Sequence, residues 1–185
     1  MRFPILVLFS GLLGAAEGCS NPNSLADPTI RSSVDTSTIY ALSGTPLTTP
    51  SAFSISLPGT VLVQSTSAFD FAYQVTGAGQ PVFLPLRVLG LSTNRAVNPG
   101  FIRTKQAFSS ITEAPSNGYV TNDSIAVAVG DTFIGRSRLA CSIGVPLYAK
   151  FHVLDIDPVA RSVTFEWLAD NNCGYRGLTP GLPKN

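Results

Sequence analysis

The 185-residue chain carries one histidine, one methionine, one tryptophan and three cysteines. That is little material for a multi-ligand metal centre or a redox relay. No Cys-x-x-Cys, His-x-His or His-Glu-x-x-His spacing occurs, and no Gly-x-Ser-x-Gly elbow. Charge is scarce as well: Asp, Glu, Lys and Arg make up 12% of the chain, against roughly a quarter in ordinary domains. Twelve basic residues against eleven acidic ones leave a net charge of +1, which excludes a strong electrostatic footprint for nucleic acid or anionic membrane surfaces. No repeat with a period of roughly 20–50 residues is present, so propellers and solenoids are excluded. What the chain does have is 44% apolar residues, enough for a real core. It also has 16 Gly and 14 Pro, which favour turns over long helices.

The longest apolar run is at the start. Met1 and Arg2 precede an apolar stretch over residues 3–16, broken only by Pro4, Ser10, Gly11 and Gly14, and Glu17, Gly18 and Cys19 follow. This is the three-part layout of a secretory signal peptide. It is shorter than the ~20 apolar residues a membrane-spanning helix needs. Arg87, Arg95 and Arg103 interrupt the most apolar stretch of the body. Residues 1–18 are therefore expected to be a signal peptide, and the body to be exported with no transmembrane helix of its own. Ala16-Glu17-Gly18-Cys19 resembles a bacterial lipobox, in which the cysteine is lipidated and becomes the new N-terminus. The lipobox prefers Leu where Ala16 stands and a small residue where Glu17 stands. Ordinary cleavage after Ala16 or Gly18 is the alternative. Cysteine arithmetic favours lipidation, because an exported chain with three cysteines has an odd thiol, and a lipidated Cys19 leaves Cys141 and Cys173 as a pair. Residues 19–37, rich in Ser, Asn, Asp, Pro and Thr, read as a flexible spacer between anchor and body. Residues 38–185 read as a single domain.

From residue 38 onward, short β-branched or aromatic runs alternate with Gly, Pro, Asn and Ser clusters. Strands are expected at 38–42, 52–57, 60–64, 68–76, 82–89, 101–106, 124–129, 132–138, 147–156 and 161–168. Gly77-Ala78-Gly79-Gln80-Pro81 and Asp157-Pro158 supply turn chemistry between them. Pro85 predicts an edge strand or a bulge. A short helical turn is expected near 105–113, stopped at Ala114-Pro115. Strands without intervening helices predict an all-β, antiparallel β-sandwich of immunoglobulin-like type.

The last three strands should form a meander, with Cys141 and Cys173 at the same end of the sheet. One intervening strand separates them by about 9–10 Å, more than the usual Cα separation of a disulfide. Residues 139–140 and 169–172 supply the slack to close it. The resulting loop of about 32 residues is worth roughly 3–4 kcal/mol by the chain-entropy model. A pair of buried free thiols is the alternative.

Candidates for chemistry are few. His152 shares an alternation face with Tyr148, Lys150 and Leu154, and is the one side chain able to act as a base near neutral pH. Asp155, Asp157, Asp170, Asn171 and Asn172 carry oxygens suited to calcium but follow no EF-hand pattern. Glu113 and Glu166 are the body's only glutamates, and a glycosidase needs two carboxyls. Alternation puts Val163, Phe165 and Trp167 on a core face. It puts Ser162, Thr164, Glu166 and Leu168 on a mostly solvated one. Arg103 with Lys105, and Arg136 with Arg138, are candidate anion-binding pairs, although basic residues on strands also guard edges against aggregation. No metal site and no cofactor are expected.

Several short stretches resemble uncharacterised all-β lipoproteins of the bacterial envelope. They are Ala41-Leu42-Ser43-Gly44-Thr45-Pro46, Phe69-Asp70-Phe71-Ala72, Ala114-Pro115-Ser116-Asn117-Gly118-Tyr119, Tyr148-Ala149-Lys150 and Asn172-Cys173-Gly174-Tyr175-Arg176. The Phe-Asp-Phe, Ala-Pro-x-x-Gly-Tyr and Tyr-Ala-Lys stretches are also similar to HmuY-like haem-binding lipoproteins, which implies an HmuY-like sandwich and haem capture. With His152 the only axial candidate left after signal removal, no haem ligands carry over. The expected function is that of a non-enzymatic envelope protein held to the membrane through Cys19, binding an envelope protein or a small apolar ligand. A carrier of haem or another apolar molecule is the first alternative, and a hydrolase using His152 or Glu166 the second.

Overall fold

The computed structural model describes residues 25–91 and 97–183. The proposed signal peptide and Cys19 lie outside them. All ten expected strands are present: β1 Asp35–Tyr40, β2 Ala52–Ser54, β3 Gly59–Val61, β4 Phe71–Val75, β5 Pro81–Pro85, β6 Gly100–Thr104, β7 Ile125–Ala126, β8 Thr132–Leu139, β9 Pro146–Asp157 and β10 Ser162–Asp170. They form two antiparallel five-stranded sheets, β1-β10-β9-β8-β6 and β3-β2-β4-β5-β7. The protein is an all-β sandwich. The expected helical turn is a 3₁₀ turn over Phe108–Ser110.

Alternation along the strands builds the core. Phe53, Phe71 and Phe83 from one sheet meet Phe101, Phe133, Phe151, Phe165 and Trp167 from the other. Their ring centroids lie 4.8–6.3 Å apart, mostly edge to face, the geometry that aromatic quadrupoles favour. Gly135 is required in the middle of β8. A Cβ there would sit 2.7 Å from Phe151 Cε2 and 3.0 Å from Ile55 Cδ1.

Three expectations are corrected. Pro85 neither marks an edge strand nor sits in a bulge: β5 lies between β4 and β7, and Pro85 is its last residue, past the two positions where β7 pairs. Its missing N–H therefore removes no ladder bond to β7. The outer face of the β10-β9-β8 sheet is not mostly solvated. Leu168, Tyr148 and Ile134 are buried there beneath Ile111, Ala114 and Leu178. The covering segments, around residues 108–121 and 175–178, are stitched to each other by Ala114 N donating to Arg176 O and Leu178 N donating to Thr112 O. Finally, the body begins well before residue 38. Residues 25–34 form a strap against it, and β1 starts at Asp35.

An interior bolt joins the sheets. Asp70 is fully buried just before β4. Its Oδ2 accepts from Ile55 N at 2.7 Å and Ser56 N at 3.4 Å, and its Oδ1 accepts from Arg138 N, near the end of β8, at 2.9 Å. Arg138 Nε stands 3.4 Å from Oδ1 as an ion pair without hydrogen-bond geometry.

Candidate functional site

The end of the sandwich where β8 and β10 finish concentrates the chain's distinctive chemistry. Cys141, in the β8–β9 hairpin, is bonded to Cys173, which follows β10, with Cα atoms 5.9 Å apart. The expected pairing is present, and the slack comes from the hairpin residues and a register shift between Arg136 and Leu139 of β8.

Asp170-Asn171-Asn172-Cys173 is the working segment at this end. Asp170 is fully buried. Its Oδ1 accepts from Asn172 N at 2.9 Å and Asn172 Nδ2 at 2.8 Å, while Oδ2 has no hydrogen-bond partner among the described residues. Burial pushes the Asp170 carboxyl above its ordinary pKa, and the two Asn172 bonds only partly offset that. So oriented, Asn172 clips the strap: Oδ1 accepts from Thr29 N and Ile30 N at 2.9 Å each, and Nδ2 donates to Ile30 O at 2.8 Å. Tyr175 OH donates to Ala26 O at 3.0 Å, and Ser32 and Gly181 exchange two backbone bonds of 2.8 Å. Gly174, at φ +88°, passes so close to Leu25 that a Cβ would overlap its side chain. Between strap and turn lies a cavity of about 220 Å³ lined by Ala26, Asp27, Ile30, Asn171 and Cys173, among others. The buried Asn171 Oδ1 has no partner. Sequence reasoning read Asp170, Asn171 and Asn172 only as oxygens suited to calcium and missed the clip, because its partners lie about 140 residues away.

The other candidates fall in separate places. The five calcium candidates are split between the two ends. Asp157 Oδ1 caps the β9–β10 turn by accepting from Val159 N and Ala160 N, and Asp155 faces Thr164 nearby, whereas Asp170 to Asn172 sit at the disulfide end. Among the described residues no group of three or more His, Cys, Asp or Glu is placed to hold a metal. The three arginines among the anion-binding candidates are engaged in other contacts. Arg103 pairs with Asp131 at 2.5 Å and lies over Phe133. Arg136 lies over the Tyr119 ring at 4.6 Å and donates to Asn98 O. Arg138 is bound to Asp70 and to Phe69 O. Lys105 is exposed just past β6. Two guanidiniums already face carboxylates, so these residues do not converge on an anion.

His152 and Glu166 are cross-strand neighbours on the outer face, and His152 also faces Thr132. Thr132 Oγ1 and His152 Nδ1 are 3.2 Å apart, which superficially gives a hydroxyl, an imidazole and a carboxylate in a row. No ion pair joins His152 to Glu166 among the described residues, and Thr132 is buried. The hydroxyl is thus buried against the imidazole, and no ion pair among the described residues completes a hydroxyl–imidazole–carboxylate chain. Glu113 is committed to an ion pair with Arg176. Lys150, beside His152, is buried. It donates to Phe108 O and Ile111 O at 2.9 Å each, and burial lowers its pKa, partly offset by Glu166. It pins the 3₁₀ turn to the sheet.

No protein-family model, curated protein or solved structure matches the chain. Among the described residues no helix is long and apolar enough to cross a membrane.

Proposed function

We propose that this is an exported envelope protein, tethered to a membrane by lipid on Cys19, with a binding or structural role and no catalytic chemistry of its own. The observation that supports this most is the Cys141–Cys173 bond. It belongs to an oxidising compartment, and it uses two of the three cysteines. The one left over is Cys19, directly after the signal-like apolar run. The carrier reading has less support. The sandwich interior is filled by rings in contact, and a cavity of about 220 Å³ is smaller than the ~300–1,000 Å³ of sites for drug-sized ligands. His152 lies on the outer face beside Phe108, outside the packed core. The hydrolase reading lacks the linked triad described above.

Envelope fractionation of the producing cells tests the proposal. The wild-type protein should sediment with membranes, and Cys19→Ser should appear in the soluble exported fraction. A soluble wild-type protein, or a Cys19→Ser variant that stays with membranes, would overturn it.

A further inference from the structure

We infer that the disulfide end of the sandwich rests on the lipid surface, so that the protein stands upright on its anchor with the β9–β10 turn pointing away. The inference builds on the tethering proposed above. Composition alone allows a loose spacer of 19 residues, 19–37, on which the body would tumble freely. The strap contacts remove most of that freedom. Leu25 already lies against Gly174, Ala26 is bonded to Tyr175, and Thr29 and Ile30 are clipped by Asn172. Only six residue steps separate Cys19 from Leu25, a reach of ~20 Å at full extension. The tether leaves the body beside the Cys141–Cys173 bond, and β9 alone, twelve residues long, carries the opposite end ~40 Å farther off. A tether half that length cannot let the body invert, with the far turn on the membrane and the disulfide end lifted away, while the strap holds.

Exposed aliphatic side chains stand at both ends of the sandwich, Val159 in the far turn among them, and the tether decides which set meets lipid. Leu57 in the β2–β3 turn is 77% exposed and Ile143 in the β8–β9 hairpin 62% exposed. The Asp70 contacts to Ile55, Ser56 and Arg138 place the two turns at the same end, one from each sheet. Leu25 and Ile30 of the strap add exposed aliphatic surface at the same end. Side chains of this kind, fixed within tether reach of a bilayer, bury apolar area at the headgroup boundary.

The test uses the mature protein purified from its own cells and reconstituted into phosphatidylethanolamine–phosphatidylglycerol vesicles with and without brominated acyl chains. Single tryptophans are introduced as Leu57→Trp, Ile143→Trp and Val159→Trp. All three sites are exposed, so the fold tolerates the change, and native Trp167 is a shared background. The expected result is loss of the added emission at positions 57 and 143 in brominated vesicles and no loss at 159. Equal quenching at all three, quenching at 159 alone, or none in protein that floats with the vesicles would overturn the orientation while leaving the anchor intact. Protein that does not float and lacks an acyl mass on its N-terminal peptide would overturn the anchor and the orientation with it.

Discussion

At the residue scale, the two buried aspartates do different jobs. Asp70 satisfies backbone donors from two sheets and faces a guanidinium. Truncating it strands those donors and leaves Arg138 without its counter-charge. Asp70→Ala is expected to cost about 3–5 kcal/mol, read as a lower urea midpoint, with Asp70→Asn milder because one acceptor oxygen survives. Asp170 has no ion-pair partner among the described residues. Burial raises its carboxyl above the ordinary 3.8, so the folded state holds this proton more tightly than the unfolded chain does. Its contribution to stability therefore grows as the pH falls from neutral through the folded pKa, and is complete below the unfolded value. Asp170→Asn removes that dependence. Denaturation at about pH 7 and about pH 5 should show the wild type gaining on the variant at the lower pH; an unchanged gap would contradict the assignment.

At the scale of elements, period-two alternation and turn residues marked all ten strands and the meander that carries the disulfide. They worked because Val163, Phe165 and Trp167 face the core in the local pleat. The same pattern misread Leu168 and did not signal the burial of Lys150, since alternation tells which side a residue faces and not what lies over that side. Their cover arrives from residues 108–114 and Leu178. The strap was misread for a related reason: a run of Ser, Asn and Pro looks unstructured until Asn172 and Tyr175 supply its bonds from the far end of the chain. The disulfide locks the segment that holds the strap. Replacing Cys141 and Cys173 together by alanine should cost roughly 3–4 kcal/mol. It should also raise amide exchange at Thr29 and Ile30 more than at Phe151 in the core. Uniform acceleration across both would show that the bond stabilises the sandwich without guarding the strap.

For the molecule as a whole, we read the parts as those of the displayed body proposed above. Its interior is packed with aromatic rings, its buried Asp70 joins the sheets, its buried Lys150 pins a covering turn, and its disulfide braces the end where the N-terminal strap is held. Of the candidate chemistry legible in the sequence, Arg103, Arg136 and Arg138 are held in structural contacts, and His152 stands between Thr132 and Glu166 on the outer face. The clip formed by Asp170 and Asn172, which connects fold to tether, emerges only from long-range contacts. The central claim, that Cys19 is the anchor and the other two cysteines the brace, is tested most directly by one measurement. Intact and peptide mass spectrometry of protein taken from its own cells, without reductant, should find an acylated Cys19 at the mature N-terminus and Cys141 joined to Cys173. A mature chain with an unmodified Cys19, or with Cys19 bonded to either of the other two, would contradict the account.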